Sequence, residues 1–231
     1  MNAGQRGSMV EREGPGEREG MRHREQAGQR ERADAARNRR AILAATEELL
    51  ATHRPQDISM EQVAALAGVG KGTVFHRFDN RMGLMFALMV ERAQALEEAV
   101  TAGPPPLGEG APDRDRLLAF LDAVVEVVSR NKNLMAELAY PVAAQRHARE
   151  RAAKDRDKHP VYRFWHGHIS ALIAAQRPDA DANMIAHLML GALHSEPVLD
   201  QLATDGPARL GAAMRSLACA ILDAPAGSAA H

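Results

Sequence analysis

Apolar residues recur every three to four positions through most of this chain, and the breaks between those runs predict a protein built of helices. Ile42, Ala45, Leu49 and Leu50 repeat at helical spacing from a start near Asp34 until Pro55 interrupts. Ser59 and Gln62 have the spacing of a capping box, and Ile58 with Val63 forms a hydrophobic staple across the same cap. The helix that starts there stops at Gly68. A second short helix is predicted from about Gly70 to Arg77, and Asp79 or Asn80 caps a longer one reaching about Val100. Residues 103–113, GPPPLGEGAPD, read as a Pro/Gly linker. Beyond it Leu117, Leu121, Val124 and Val128 line one helical face, flanked by Leu118 and Val125, and a further helix near 131–139 stops before Pro141. Residues 145–158 are almost all polar and read as a solvated helix. Pro160 opens a helix through about Gln176. The last two run from Asp181 to about Thr204, with Pro197 expected to kink or break it, and from Pro207 to Asp223.

The stretch 59–84 is the most informative. Two short helices joined by a Gly-containing turn have the geometry that presents one helix end to the major groove of DNA. Val63, Ala67, Val69 and Val74 supply the apolar contacts between them, with Ala64 and Gly68 keeping the crossing close. The positions left exposed on the second helix are Lys71, Gly72, Thr73, His76 and Arg77. Its first turn contains no acid, and Gly70 and Gly72 let backbone N–H groups approach a phosphate oxygen. Thr73 can touch a thymine methyl or a base edge, and His76 can hydrogen-bond a base or a phosphate. A unit this small reads half a site, so specificity requires a symmetric dimer on a palindrome.

Composition agrees with helices: β-branched residues are scarce, aromatic residues make up 3%, and Ala, Leu, Arg and Glu are abundant. Net charge is -1, so the chain is no polycation. Within 68–81, however, Lys71, Arg77 and Arg81 face only Asp79, a patch suited to a phosphate footprint. The single cysteine, Cys219, excludes an intrachain disulfide and suits a reducing cytoplasm. No apolar run reaches the roughly 18 residues of a membrane span. The Arg/Glu/Gly-rich residues 1–33 have no apolar core, hence no secretory signal, and read as a disordered tail in which Met9 or Met21 are alternative starts. The division expected is 34–81 for DNA binding, 82–225 for a helical body, and a disordered tail at 226–231.

RRAILAATEELL followed by ISMEQVAALAGVGKGTVFHRFDNRMGLM resembles the DNA-binding domain of the tetracycline-repressor (TetR) family of bacterial transcriptional regulators, over about 34–84. That resemblance implies an all-α fold, with an N-terminal three-helix DNA-binding domain and a C-terminal helical domain for ligand binding and dimerisation. It implies a repressor released from its operator by a small molecule. It places Arg39, Arg40, Ser59, Lys71, Thr73, Phe75, His76 and Arg81 at positions used against DNA. Three residues depart from the family pattern: Gly70 replaces a Ser or Thr, Phe75 a Tyr, and Arg77 a frequent His. Gly70 and Phe75 each lose a hydroxyl, while Arg77 can restore a phosphate contact.

Leu210, Met214, Leu217 and Ile221 form a stripe at helical spacing, as do Ile185, Leu188 and Ala192 with Gly191 between them. By pattern these stripes are equally an internal core or an interface; the resemblance implies a four-helix interface between two copies. It also implies an effector cavity among the middle helices. The lining candidates are Met85, Met89, Phe120, Val124, Leu134, Met135, Leu138, Tyr140, Phe164, Trp165, His168, Ile169 and His187.

Other readings are weaker. AGVGKGT has the look of a phosphate-binding loop, but Ala65 and Gly72 occupy the positions that need Gly and Ser or Thr. His159 and His166, or His187 and His194, are seven apart, wider than helical metal pairs, and His166 and His168 diverge. No metal or cofactor is expected. Neither a Glu-x-x-His pair, H-E-x-x-H nor G-x-S-x-G occurs, so an enzyme is not expected. The alternative is a helical-bundle small-molecule-binding protein or enzyme whose helix-turn-helix is only structural.

Overall fold

The structure, a computed structural model, describes residues 15–137, 159–193 and 195–225. Every regular element among them is helical. The order is α1 (Pro15–Leu50), a 3-10 turn (Pro55–Asp57), α2 (Met60–Leu66), α3 (Lys71–Phe78), α4 (Arg81–Ala102), α5 (Asp113–Glu137), α6 (Pro160–Gln176), α7 (Ala182–Ala192), α8 (Glu196–Asp205) and α9 (Pro207–Asp223).

Two apolar clusters organise these helices. The N-terminal one gathers Ile42 and Leu43 of α1, Val63 of α2, Val74 and Phe78 of α3, Leu84 and Leu88 of α4, and Leu134 from the far end of α5. The second builds the body around Phe120, Leu121 and Val124 of α5, Trp165 and Ile169 of α6, Ala186 and Met189 of α7, and Met214 and Ala218 of α9. Helices α4 and α5 contribute to both clusters, so they join the N-terminal helices to the body.

Local chemistry sets the ends. The Ser59 hydroxyl accepts from the Gln62 N–H at 3.1 Å, and the Gln62 side chain accepts from the Ser59 N–H at 2.8 Å, completing the capping box. Such a cap stabilises a helix start by about 1 kcal/mol. Gly68 adopts φ 66°, and a Cβ there would meet nothing within 4 Å. Its role is therefore the left-handed turn between α2 and α3, rather than the close crossing read from sequence. Gly83 is the glycine that close packing requires, because a Cβ would collide with the Phe78 carbonyl oxygen. Asn80 caps α4, accepting from the Gly83 N–H at 2.9 Å.

Two expectations need correction. Residues 15–33, read as disordered, belong to α1, which begins well before Asp34. Glu, Arg, Gln and Ala are good helix formers, and they outnumber the glycines that suggested a break. The helix predicted near 131–139 is the end of one continuous α5, since no Pro or Gly interrupts 114–137. The stripe on α9, equally core or interface by pattern, divides between a buried and an exposed side. Met214 turns inward beside the small residues Gly211 and Ala218, whereas Leu217 stays 48% exposed. Pro197 does break its helix, separating α7 from α8 near the start of the latter. The solvated helix expected at 145–158 lies outside the described residues, as do Leu138 and Tyr140.

Candidate nucleic-acid interface

Helix α3 shows why a short sequence can present several groups to one partner. Val74 and Phe78, one turn apart, anchor it in the N-terminal cluster. Helical periodicity then puts Gly72 and His76 directly opposite the core, with Lys71 and Phe75 on one flank and Thr73 and Arg77 on the other. Lys71, Gly72, Phe75, His76 and Arg77 are all exposed, and Thr73 is half-buried. A side chain at Gly72 would meet nothing within 4 Å, so the backbone there is open to approach. The N-cap, Gly70, makes no side-chain cap hydrogen bond, and no acid lies in the first turn.

An acid reaches this end from elsewhere. Glu61 of α2 forms an ion pair with Lys71, whose ammonium also stands 5.5 Å from the Phe75 ring centroid. The hydrogen bond from Lys71 is the main reason the Glu61 carboxyl sits below its ordinary value. Lys71 is thus held by a cation–π contact and a carboxylate before any partner arrives. Sequence reasoning missed Glu61, because its relation to Lys71 depends on how α2 crosses α3.

The flanking cations divide by engagement. Arg40 is exposed. Arg39 pairs with Glu91 at 3.5 Å and lies 5.7 Å from the Phe78 ring centroid. Arg81 donates to the Gln56 carbonyl at 2.6 Å, tying the start of α4 to the 3-10 turn. Ser59 is occupied as a cap. Arg40, Lys71, His76, Arg77 and Arg81 are accordingly exposed, while Arg39 is engaged with side chains of α3 and α4, and Ser59 and Arg81 also hold backbone groups.

The joint between reading unit and body carries a network absent from the sequence reading. Glu47 of α1 accepts from Arg92 of α4 through Nε at 2.7 Å and Nη2 at 3.0 Å, and from Arg130 of α5 at 2.9 Å. Arg92 donates again to Asn131 at 3.1 Å. Burial opposes ionisation of Glu47, but the hydrogen bonds and charges of Arg92 and Arg130 outweigh it and hold the carboxyl below its ordinary value. A cleft of about 310 Å³ opens beside this network, lined among others by Leu50, Pro55, Asn133 and Leu134. Another, of about 260 Å³, lies between α8 and α9 and includes Pro197, Leu202 and Leu210.

The residues nominated for an effector cavity fall into two places. Met85, Met89 and Leu134 belong to the N-terminal cluster, and Met135 follows Leu134 on α5. Phe120, Val124, Trp165 and Ile169 lie in the body's core, with Phe164 packed against it. His168 meets Phe120 edge-on at 4.7 Å between centroids and stacks on Phe164 at 6.1 Å. His187 and Tyr162 share a 2.7 Å hydrogen bond. Of all these, only Leu134 lines either cleft. Among the interface candidates, Leu188 is 66% exposed, and exposed Met184, which the sequence reading omitted, stands one turn before it. Gly191 would accept a Cβ without contact inside this chain, Ala192 and Ile221 are half-buried, and Ile185 and Leu210 pack partly on the core. No group of three or more His, Cys, Asp or Glu suited to a metal occurs among the described residues. No helix there is long and apolar enough to cross a membrane.

The structure thus mounts a capped helix-turn-helix on a helical body. Residues 42–88 match the family model for bacterial regulatory proteins of the tetR family. Over 84 residues the chain is 37% identical to the HTH-type transcriptional regulator BetI of Ectopseudomonas mendocina, covering 36% of this chain and 42% of that one. Over 92 residues it is 30% identical to TtgW of Pseudomonas putida, an HTH-type transcriptional regulator described as uncharacterized, covering 40% and 66%. The chain thus spans less than two thirds of either relative's length. A solved Rhodococcus sp. structure described as of the TetR family superposes with a TM-score of 0.51 at 20% identity, covering 83% of this chain and 100% of that one. Residues 42–88 are thus similar to the N-terminal region of tetR-family regulators, and the chain as a whole shares their fold.

Proposed function

We propose that this protein is a dimeric transcriptional repressor that binds a palindromic operator in the cytoplasm and is released by a small-molecule effector. The observation that carries this reading is the open outer face of α3, where Gly72, His76 and Arg77 stand clear of a helix anchored by Val74 and Phe78. Lys71 and Arg77, with Arg39, Arg40 and Arg81 behind them, contact phosphates; Thr73 and His76 read base edges. Ser59 and Gly72 bring backbone and hydroxyl donors toward the same strand.

Dimerisation is supported by the apolar surface that a single chain leaves uncovered on α7 and α9, chiefly Leu188 and Leu217. Gly191 and Ala192 let a second copy approach closely. Effector release is supported by helices α4 and α5, which belong to both clusters and so link any change in the body to the tilt of α3. Selection of bound DNA from a random pool tests the reading. A two-fold symmetric site is the expected product, and the absence of any sequence preference would leave the helix-turn-helix with a structural role only.

A further inference from the structure

Helices α5 and α6 carry buried donors that nothing among the described residues satisfies. Trp165 is 7% exposed, and its indole Nε1 has no acceptor. The same holds for His168 Nε2 and Arg116 Nε. These residues belong to one neighbourhood. Phe120, one turn after Arg116 on α5, meets the His168 ring at 4.7 Å, and Trp165 stands one turn before His168 on α6. Burial first, and the charge of Arg116 second, hold the His168 imidazole below its ordinary value, which favours the neutral form.

Buried donors without acceptors are rare because they destabilise the fold, and three on adjoining turns call for a reason. Their chemistry is one-sided. Indole and guanidinium only donate, and a neutral imidazole donates from Nε2 in one of its tautomers. The Arg116 charge is poorly compensated, since its ion-pair partner Asp113 is 3.8 Å away. The complement to such a set is an anionic oxygen acceptor. Beside it, Phe120 and Phe164 provide aromatic walls on both sides of His168.

We propose that Arg116, Trp165 and His168 form the polar end of a binding site for a small organic carboxylate with an apolar or aromatic body. The carboxylate oxygens accept from the three donors, and the body packs on Phe120 and Phe164. That this ligand is the effector rests on the repressor reading above; that it binds does not. A neutral isostere leaves the guanidinium uncompensated and binds more weakly.

Trp165 is the chain's only tryptophan, so emission from the whole protein reports from this site. Benzoate titrated into the full chain should produce a saturable change in that emission, with benzamide at least about tenfold weaker. Arg116→Met should weaken benzoate by about tenfold or more while leaving the helical circular dichroism unchanged, and Arg116→Lys, which keeps the charge but loses the Nε donor, should bind between that variant and the wild type. The proposal is overturned if benzoate, cyclohexanecarboxylate and octanoate all leave the emission unchanged up to on the order of 50 mM. It is equally overturned if a folded Arg116→Met variant binds benzoate as the wild type does. Operator affinity measured alongside separates the two claims. A carboxylate that binds without weakening operator binding refutes the effector assignment, whereas intact operator binding with no emission change refutes the site.

Discussion

Replacing Glu47 with Gln isolates the joint between the reading unit and the body. The carboxylate receives two hydrogen bonds from Arg92 and one from Arg130, linking α1 to α4 and α5. Arg92 is the sensitive partner: its side chain is 8% exposed, so a guanidinium without its counter-ion has little water to replace it. Breaking a buried pair by removing one member costs about 3–5 kcal/mol. Glu47 is itself 29% exposed and Arg130 is 47% exposed, so solvent screens part of that loss. Glu47→Gln should therefore lower stability by about 2–3 kcal/mol in urea unfolding at pH 7. The pH dependence supplies an independent sign. Because the folded carboxyl lies below its ordinary 4.5, this stabilisation is fully present above that value and is lost as pH falls through the folded one. The difference between wild type and variant should shrink on acidification. A loss below about 0.5 kcal/mol at pH 7, or a difference that persists undiminished at about pH 3, would refute the reasoning.

Four further outcomes follow from the geometry. Glu61→Gln frees Lys71 and removes an acid facing the phosphates, so it should tighten binding to all DNA sequences alike and steepen the salt dependence by up to about one ion; an altered base preference would contradict that role. Thr73→Ala and His76→Ala should relax preference at one or two operator positions by about 1–3 kcal/mol in a binding-site profile, and an unchanged profile would remove both from base reading. Leu188→Glu or Leu217→Glu should yield monomers by sedimentation, and an intact dimer would move the interface elsewhere. Gly83→Ala forces a Cβ onto the Phe78 carbonyl oxygen and should cost about 1–3 kcal/mol, read as a lowered thermal midpoint.

What the sequence disclosed, it disclosed through local rules. The Ser59–Gln62 box, the stop at Gly68, the Asn80 cap and the Pro197 break each depend on residues within a few positions, and all four stand where their spacing puts them. The exposed face of α3 was legible for the same reason, because Val74 and Phe78 fix which side is buried. Contacts between distant segments were not legible. Glu61 meets Lys71 only through the crossing of α2 and α3, and Glu47 meets Arg130 only because α1 and α5 converge at the joint. Arg116 escaped notice because its proximity to His168 is a matter of how α5 packs on α6. On α9 the small residues Gly211 and Ala218, which register little as apolar signal, pack inward beside Met214, so the stripe alone did not show which face is buried.

In the proposed function one chain reads half a site and two chains read the whole. The direct measurement is the stoichiometry and affinity of the full-length protein on its selected DNA site, compared with the same site carrying one scrambled half. Two protomers per intact site are expected, with a large loss of affinity when either half is scrambled. One protomer bound with unchanged affinity to the half-scrambled site would contradict it.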